Sequence, residues 1–321
     1  MTALLTVDGL TVDIAVPAGT LHAVRDVSFA VEKGETLCLV GESGCGKSMT
    51  ALALMGLLPR AAARRARRLE FAGIDLAGAG RKAINDLRGA HMAMIFQEPM
   101  TALNPSYTIG NQMMEVYRRH KGGSVAEARE RAVFLLGKVG IAASGDRLGQ
   151  YPHQLSGGLR QRVMIAMALM CGPALIVADE PTTALDVTIQ AQILLLLKDL
   201  QREFGMALVL ITHDLGVVAR VADRVAVMYA GAVVEHGTTG DVFAAPRHPY
   251  TRALMDCIPV PGRTRAGERL GSIPGTIPAL IGTVTGCAFR DRCALALPEC
   301  AAEPPQNLDG DHGWACVRGA A

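Results

Sequence analysis

Gly41-Glu42-Ser43-Gly44-Cys45-Gly46-Lys47-Ser48 matches the pattern G-x-x-x-x-G-K-[ST] at every position, a spacing suited to gripping phosphate. The glycines let backbone N–H groups close around phosphate oxygens. Lys47 then reaches the β and γ phosphates, and Ser48 offers its hydroxyl to Mg²⁺. Met49 continues into a helix whose positive end points at the anion. Farther on, an apolar run from Ala174 ends in Asp179-Glu180. Two carboxylates at the C-terminal edge of a parallel sheet lie where ligands bind in such folds. Asp179 would hold Mg²⁺, partly through water, and Glu180 would polarise an attacking water as general base. Leu155-Ser156-Gly157-Gly158-Leu159-Arg160-Gln161 opens a helix with a good N-cap at Ser156 and bare N–H groups behind it, a second anion site. His213 closes another strand at the same sheet edge, in reach of a γ-phosphate. Taken singly, each has a plainer reading: a turn that binds nothing, solvated acids, a capped helix, a structural histidine. Their joint occurrence favours phosphate chemistry.

The elements that must position these residues follow from pattern. Thr36 to Val40 predicts a buried strand into the glycine turn, and Met49 to Leu57 a helix that Pro59 ends. Leu4 to Val16 and Ala23 to Val31 alternate, which predicts an antiparallel pair joined near Pro17-Ala18-Gly19. His91 to Phe96 predicts a strand ending at Gln97-Glu98-Pro99, and Asn111 to Gln150 a helical insertion. Pro181 to Asp186 reads as a turn, Val187 to Phe204 as an amphipathic helix and Ala207 to Thr212 as a buried strand. Arg224 to Tyr229 and Ala232 to His236 read as the last strands of an α/β core.

Composition narrows the class. A chain of 321 residues that is 50% hydrophobic can bury a large core. With 4% aromatic residues and a net charge of +2, it offers no stacking platform for single strands and no strong field. No charged n-region with a following apolar run marks a signal peptide. Val163 to Ala178 is apolar but too short for a span and is broken at Gly172-Pro173, so a soluble chain is expected. The arginines between Arg60 and Arg68 could meet nucleic-acid or lipid phosphates; a solvated turn before a strand from Leu69 to Phe71 is the preferred reading.

Glycine loop, Gln97, Leu155 to Gln161, Asp179-Glu180, Ala184-Leu185-Asp186 and His213 occur in one order, and together they resemble the ATP-binding subunit of an ABC transporter. The resemblance spans about residues 4 to 245. It implies a P-loop ABC ATPase core with an N-terminal antiparallel β subdomain and a helical subdomain at about 98–160, within a nucleotide-binding domain of residues 1–245. It further implies ATP and Mg²⁺ as ligands, with Gly41 to Met49 on the nucleotide and Ser48, Gln97 and Asp179 around the metal. Gln97 and His213 would sense the γ-phosphate, and Glu180 would be the base. Ser156, Gly157, Gly158 and Gln161 would act in trans on ATP held by a partner domain. The family usually stacks adenine on an aromatic near the first strand; Ile14 stands there, with His22 close in sequence. Phe96 to Pro105, Glu180 to Thr188 and His248-Pro249-Tyr250-Thr251-Arg252-Ala253-Leu254 resemble the peptide and nickel importer branch, most of all the oligopeptide and dipeptide importers. That likeness implies two membrane permease subunits, a second ATPase (a paralogue favoured over an identical chain) and, indirectly, an extracytoplasmic binding protein. The chain would sit at the cytoplasmic face of the inner membrane. Peptides come first as cargo, with nickel or a glycoside behind. A soluble ABC ATPase of nucleic-acid metabolism and a P-loop kinase or GTPase are the competing classes, and no nucleic-acid partner is expected.

From residue 246 to 321 proline is frequent and periodicity fades, which predicts a short irregular extension. Of eight cysteines, Cys38, Cys45, Cys171 and Cys257 read as ordinary buried side chains. Cys287, Cys293, Cys300 and Cys316 are bunched as C-x5-C-x6-C-x15-C. Without a secretory signal, a disulfide framework is the weaker reading. The spacing lacks the close pairs of zinc sites, and four thiolates also suit a [4Fe–4S] cluster. Cys287 to Cys293 resembles the Cys-x-Phe-Arg-x-Arg-Cys stretch of the peptide-importer branch, some of whose members bind such a cluster, and with that likeness the cluster ranks above zinc and free thiols.

Overall fold

The computed structural model describes residues 3–182, 186–258, 271–283 and 285–318. In chain order the first elements are β1 (Leu5–Val16), β2 (Gly19–Val31), β3 (Thr36–Val40), α1 (Lys47–Leu54), β4 (Ala62–Arg65), β5 (Arg68–Phe71) and β6 (Ile74–Asp75). Next come α2 (Arg81–Leu87), β7 (Met92–Ile95), α3 (Pro99–Ala102), α4 (Ile109–Lys121), α5 (Val125–Lys138), α6 (Ser144–Arg147) and α7 (Gly157–Ala168). The rest are β8 (Leu175–Asp179), α8 (Val187–Phe204), β9 (Ala207–Thr212), α9 (Leu215–Val221), β10 (Arg224–Tyr229), β11 (Ala232–Thr238), α10 (Thr239–Ala244), α11 (Pro249–Asp256), β12 (Gln306–Asp309) and β13 (His312–Ala315).

The chain divides into two compact units that do not follow chain order. One takes Glu32–Glu35 and Gly78–Ile211; the other takes Ala3–Val31, Thr36–Ala77 and Thr212–Ala321, in the described residues of each. In the first unit β7, β8 and β9 form a parallel ladder, with Ile95 opposite Ala178 and Asp179 opposite Ile211. Every residue of β8 and β9 is buried, which explains their unbroken apolar runs: both faces of such a ladder are covered. The predicted insertion is here a set of helices, α5 packing on α4 and α7. α5 opens with a reciprocal capping box, Ser124 with Glu127, which closes its first turn independently of its neighbours.

In the second unit β1 pairs antiparallel with β2, β4 and β5. β10 joins β3 in parallel and β11 antiparallel. α1 starts earlier than its periodicity suggested, inside the glycine motif at Lys47, and stops at Leu54. Gly56, left-handed at φ 61°, ends it before Pro59 is reached. The arginine-rich run is not a turn throughout: Ala62–Arg65 forms β4 on β1, and while Arg65, Arg67 and Arg68 stay exposed, Arg64 is half-buried and donates to the carbonyls of Ala53 and Leu76, at 2.7 Å each. Arg65 pairs with Asp13, Arg67 with Asp8 and Asp26, and Arg68 with Glu70.

The C-terminal region also holds more regular structure than its composition suggested. β12 and β13 make a hairpin around Gly310, at φ 59°, and β13 adds to β11 through Glu235–Trp314 and His236–Gly313. Glu235 is fully buried; its carboxylate accepts from the Arg247 N–H (2.7 Å), the His248 N–H (2.9 Å) and His312 Nε2 (2.7 Å). The Asp309-Gly310 pair between two short segments was the legible signal for this hairpin. Among the described residues no helix is long and apolar enough to cross a membrane.

Candidate nucleotide site

The phosphate loop hangs between β3, buried at every position, and α1. Two of its glycines are dictated by close approach. At Gly41, with φ 151°, a Cβ would lie 2.2 Å from the Met228 carbonyl oxygen. At Gly46, with φ 103°, it would lie 2.4 Å from the Ala23 carbonyl oxygen. Any side chain would collide with backbone in a conformation L-residues already avoid. Lys47 is only 4% exposed, and its ammonium donates to the carbonyls of Gly41 (2.8 Å) and Glu42 (2.9 Å). The cation is thus held inside the loop, where its charge is least screened. Cys45 is buried beside it, and burial pushes that thiol above its ordinary range. Ser43 and Gly44 are exposed, while Glu42, Gly46, Ser48 and Met49 are half-buried.

Two contributors come from far along the chain, and no motif flags their role. The Glu42 N–H donates to Tyr250 Oη at 2.9 Å. Arg292 meets the Glu42 carboxylate with both terminal nitrogens, at 2.7 and 2.9 Å. Hydrogen bonding to Glu42 holds the Arg292 guanidinium above its ordinary range. His213, just past β9 but in the unit that holds the phosphate loop, is exposed; the next residue, Asp214, caps α9 by accepting from Gly216 and Val217 N–H.

The other unit carries the acids. Asp179 ends β8 and is 6% exposed. Glu180 follows at φ 41°, a left-handed backbone that costs a non-glycine residue about 1 kcal/mol. Its N–H donates to the Ile211 carbonyl at 3.0 Å. The parallel register of β7 and β8 brings their ends together, and Gln97 Nε2 donates to Glu180 Oε2 at 3.2 Å. A carboxylate oriented by an amide at a strand end has the chemistry to accept a proton. Ser156 caps α7, its hydroxyl accepting from the Leu159 N–H at 3.4 Å. Ser156 and Gly157 are exposed and Gly158 is half-buried. Gln161 lies one turn on, 1% exposed, and its Nε2 has no partner among the described residues. Of the turn after β8, Ala184 and Leu185 lie outside the described residues; Asp186 caps α8 through the Ile189 N–H at 3.0 Å.

Residues 24–183 match the ABC transporter family, and residues 234–300 match the oligopeptide/dipeptide transporter C-terminal region. The chain is 51% identical to the dipeptide transport ATP-binding protein DppD of Escherichia coli, over 94% of this chain and 92% of that protein. The chain belongs to the ABC transporter ATP-binding subunits. Within them it falls in the oligopeptide/dipeptide branch. It is 50% identical to DppD of Bacillus subtilis over 97% of this chain and 93% of that one. To the oligopeptide transport ATP-binding protein OppD of Salmonella typhimurium it is 49% identical over 94% and 89%. Among solved structures, the ATP-binding cassette MJ0796, in a dimeric post-hydrolysis state with ADP and Pi, aligns with a TM-score of 0.65 at 27% identity, over 73% of this chain and 98% of that one. The cbiO1 protein of Clostridium perfringens aligns equally well, TM-score 0.65 at 28% identity, over 76% and 92%. ATP hydrolysis is the chemistry of this ABC subunit.

Ile14 sits on β1 opposite Leu21. Neighbouring His22 is committed to Asp13, Nδ1 to Oδ1 at 2.6 Å. In the C-terminal region Cys287, Cys293, Cys300 and Cys316 line one cavity of about 10 Å³, room for roughly one water. Burial, then the neighbouring thiols, pushes Cys287 and Cys293 above the ordinary thiol range. The soft donor set suits a metal, but among the described residues no group of three or more His, Cys, Asp or Glu is arranged to hold one. The predicted cluster therefore has its four donors around one cavity, without a formed coordination site among the described residues.

Proposed function

We propose that this chain is an ATP-hydrolysing motor of an importer for dipeptides or oligopeptides, acting at the cytoplasmic face of the inner membrane with two permease subunits and a paralogous second ATPase. The observation that carries the reading is the glycine-enforced loop with Lys47 buried inside it. Gly41 to Met49 bind the phosphates of ATP, Ser48, Gln97 and Asp179 serve its Mg²⁺, and Glu180 takes the proton of the attacking water. Gln97 and His213 answer to the γ-phosphate. Ser156, Gly157 and Gly158 offer their helix start to nucleotide held by the second ATPase, with Gln161 supporting them from within. Binding of ATP then favours a closed pair of motors and hydrolysis releases it. The nucleotide-binding domain runs over residues 1–245, with its helical part at about 98–160, and the extension over 246–321. The names of the relatives support peptides over nickel.

The reading is tested by purifying the tagged chain from its native membranes under anaerobic conditions. Two multi-span proteins, a second ATPase and ATP turnover stimulated by a peptide-loaded binding protein are expected. Recovery of the chain alone, or with nucleic-acid proteins, overturns it.

The finer reading of the four thiols is a structural [4Fe–4S] cluster, with zinc second, and it rests on the donor set and its shared cavity. The same anaerobic preparation decides it: no iron, no sulfide and a colourless spectrum remove the cluster.

A further inference from the structure

The phosphate loop carries a negative charge of its own. Glu42 is its second residue, and an unpaired carboxylate there would repel the triphosphate that the loop must bind. The chain answers this from 250 residues away. Arg292 has a side chain only 6% exposed, and it gives Glu42 the two-pronged contact that best fits a carboxylate. Its remaining donors are spoken for. Nε donates to the Pro274 carbonyl (2.8 Å), Nη2 to Ile273 (3.2 Å) and Nη1 to Tyr229 Oη (3.4 Å), so every N–H of the guanidinium has an acceptor. The guanidinium carbon also lies 5.7 Å from the centre of the Tyr229 ring.

Glu42 is in turn held at three points. Its N–H goes to Tyr250, its carboxylate to Arg292, and its carbonyl accepts from Lys47 Nζ. Tyr250 is fully buried, with Tyr229 and Phe289 against its ring at 4.6 and 5.3 Å. Arg292 and Phe289 both lie between Cys287 and Cys293. The C-terminal cysteine segment thus reaches the lysine of the phosphate loop through one residue.

We propose that Arg292 is a positioning residue for nucleotide binding: it neutralises Glu42 and fixes the loop carbonyl that aims Lys47. The proposal rests on the loop holding ATP. Arg292 touches no phosphate itself; it acts through Glu42.

The test is calorimetric titration of the full chain with MgATP, beside thermal melts. Arg292→Met is expected to weaken MgATP about tenfold, the scale of a lost charge-assisted pair. Glu42→Gln in the same chain removes the stranded carboxylate and is expected to restore most of that loss, because removing both partners of a pair costs less than removing one. A merely structural arginine would lower the melts together with the affinity, whereas the positioning role moves the affinity in chains whose melts are unchanged. Arg292→Lys, which keeps the charge without the fork, serves if the Met variant does not fold; it is expected to lose less, and again to be relieved by Glu42→Gln. Unchanged MgATP affinity in the variants, or a loss that Glu42→Gln leaves in place or deepens, overturns the role of Arg292 while the wild-type titration still stands for the loop. A wild-type chain that binds no MgATP sinks both.

Discussion

The phosphate loop and the Ser156 helix start are the two anion sites that the sequence predicts, yet they are held in opposite ways. The helix start is closed by its own cap: Ser156 accepts from a residue three positions on. The loop is held from outside, by the Met228 and Ala23 backbones that press on its glycines and by Tyr250 and Arg292, 208 and 250 residues away. A local cap survives wherever its helix forms. A loop closed by distant backbone exists only in the finished fold, so its binding strength is open to changes far from the nucleotide.

The comparison can be tested in order of expected effect. Glu180→Gln keeps the shape and the contact with Gln97 but removes the base. Turnover in the assembled motor should fall about a thousandfold, with MgATP affinity retained; single-turnover and binding assays check this, and normal turnover would remove Glu180 from its role. Gly41→Ala puts a methyl group into the Met228 carbonyl in a left-handed backbone. A cost of about 3 kcal/mol, and hence roughly a hundredfold weaker MgATP binding, is expected. Full binding in that variant would show that the loop is not held by β10.

Ser156→Ala should cost about 1 kcal/mol at its own helix end and leave MgATP binding by the isolated chain unchanged. Turnover in the assembled motor is expected to drop about tenfold. A loss of binding in the isolated chain would erase the contrast between the two anion sites. The smallest effect tests the arginine run. Arg64→Met strands the carbonyls of Ala53, at the end of α1, and Leu76, for a loss of about 1–2 kcal/mol in a denaturant melt. Arg65→Ala, with a side chain 68% exposed, should leave the melt unmoved. Equal effects from the two would mean that the run is a solvated face after all.

How much could be read in advance depended on how local the cause was. β3, β9 and β10 have the limits their apolar runs set, because burial on both faces writes an unbroken run bounded by turn residues, and α8 has those of its amphipathic period between the Asp186 cap and Gly205. Asp179 and Glu180 were legible for the same reason: acids after such a run must lie at its end. The meeting of Gln97 with Glu180 was not, since it depends on β7 and β8 being neighbours. Arg65 and Arg67 looked unpartnered because Asp13, Asp8 and Asp26 lie on β1 and β2, far from them in sequence. Apart from its Asp309-Gly310 turn, the β12–β13 hairpin was hidden because β12 stays largely exposed and β13 finds its burial only beside β11.

The amino-acid sequence by itself determined the chemistry: a glycine loop with Lys47 and Ser48, a strand ending in two acids, a capped glycine helix start, and four cysteines in a proline-rich extension. Those are matters of residue type and spacing, and they identify the family. Only the tertiary structure decided that Glu42 is neutralised by Arg292, that its N–H rests on Tyr250, and that the four thiols share one narrow cavity. The physical reason is one of range. Propensity, capping and turn geometry act over a few residues and leave their mark in order along the chain. Ion pairs, backbone contacts at glycines and cavity walls join residues that folding alone makes neighbours.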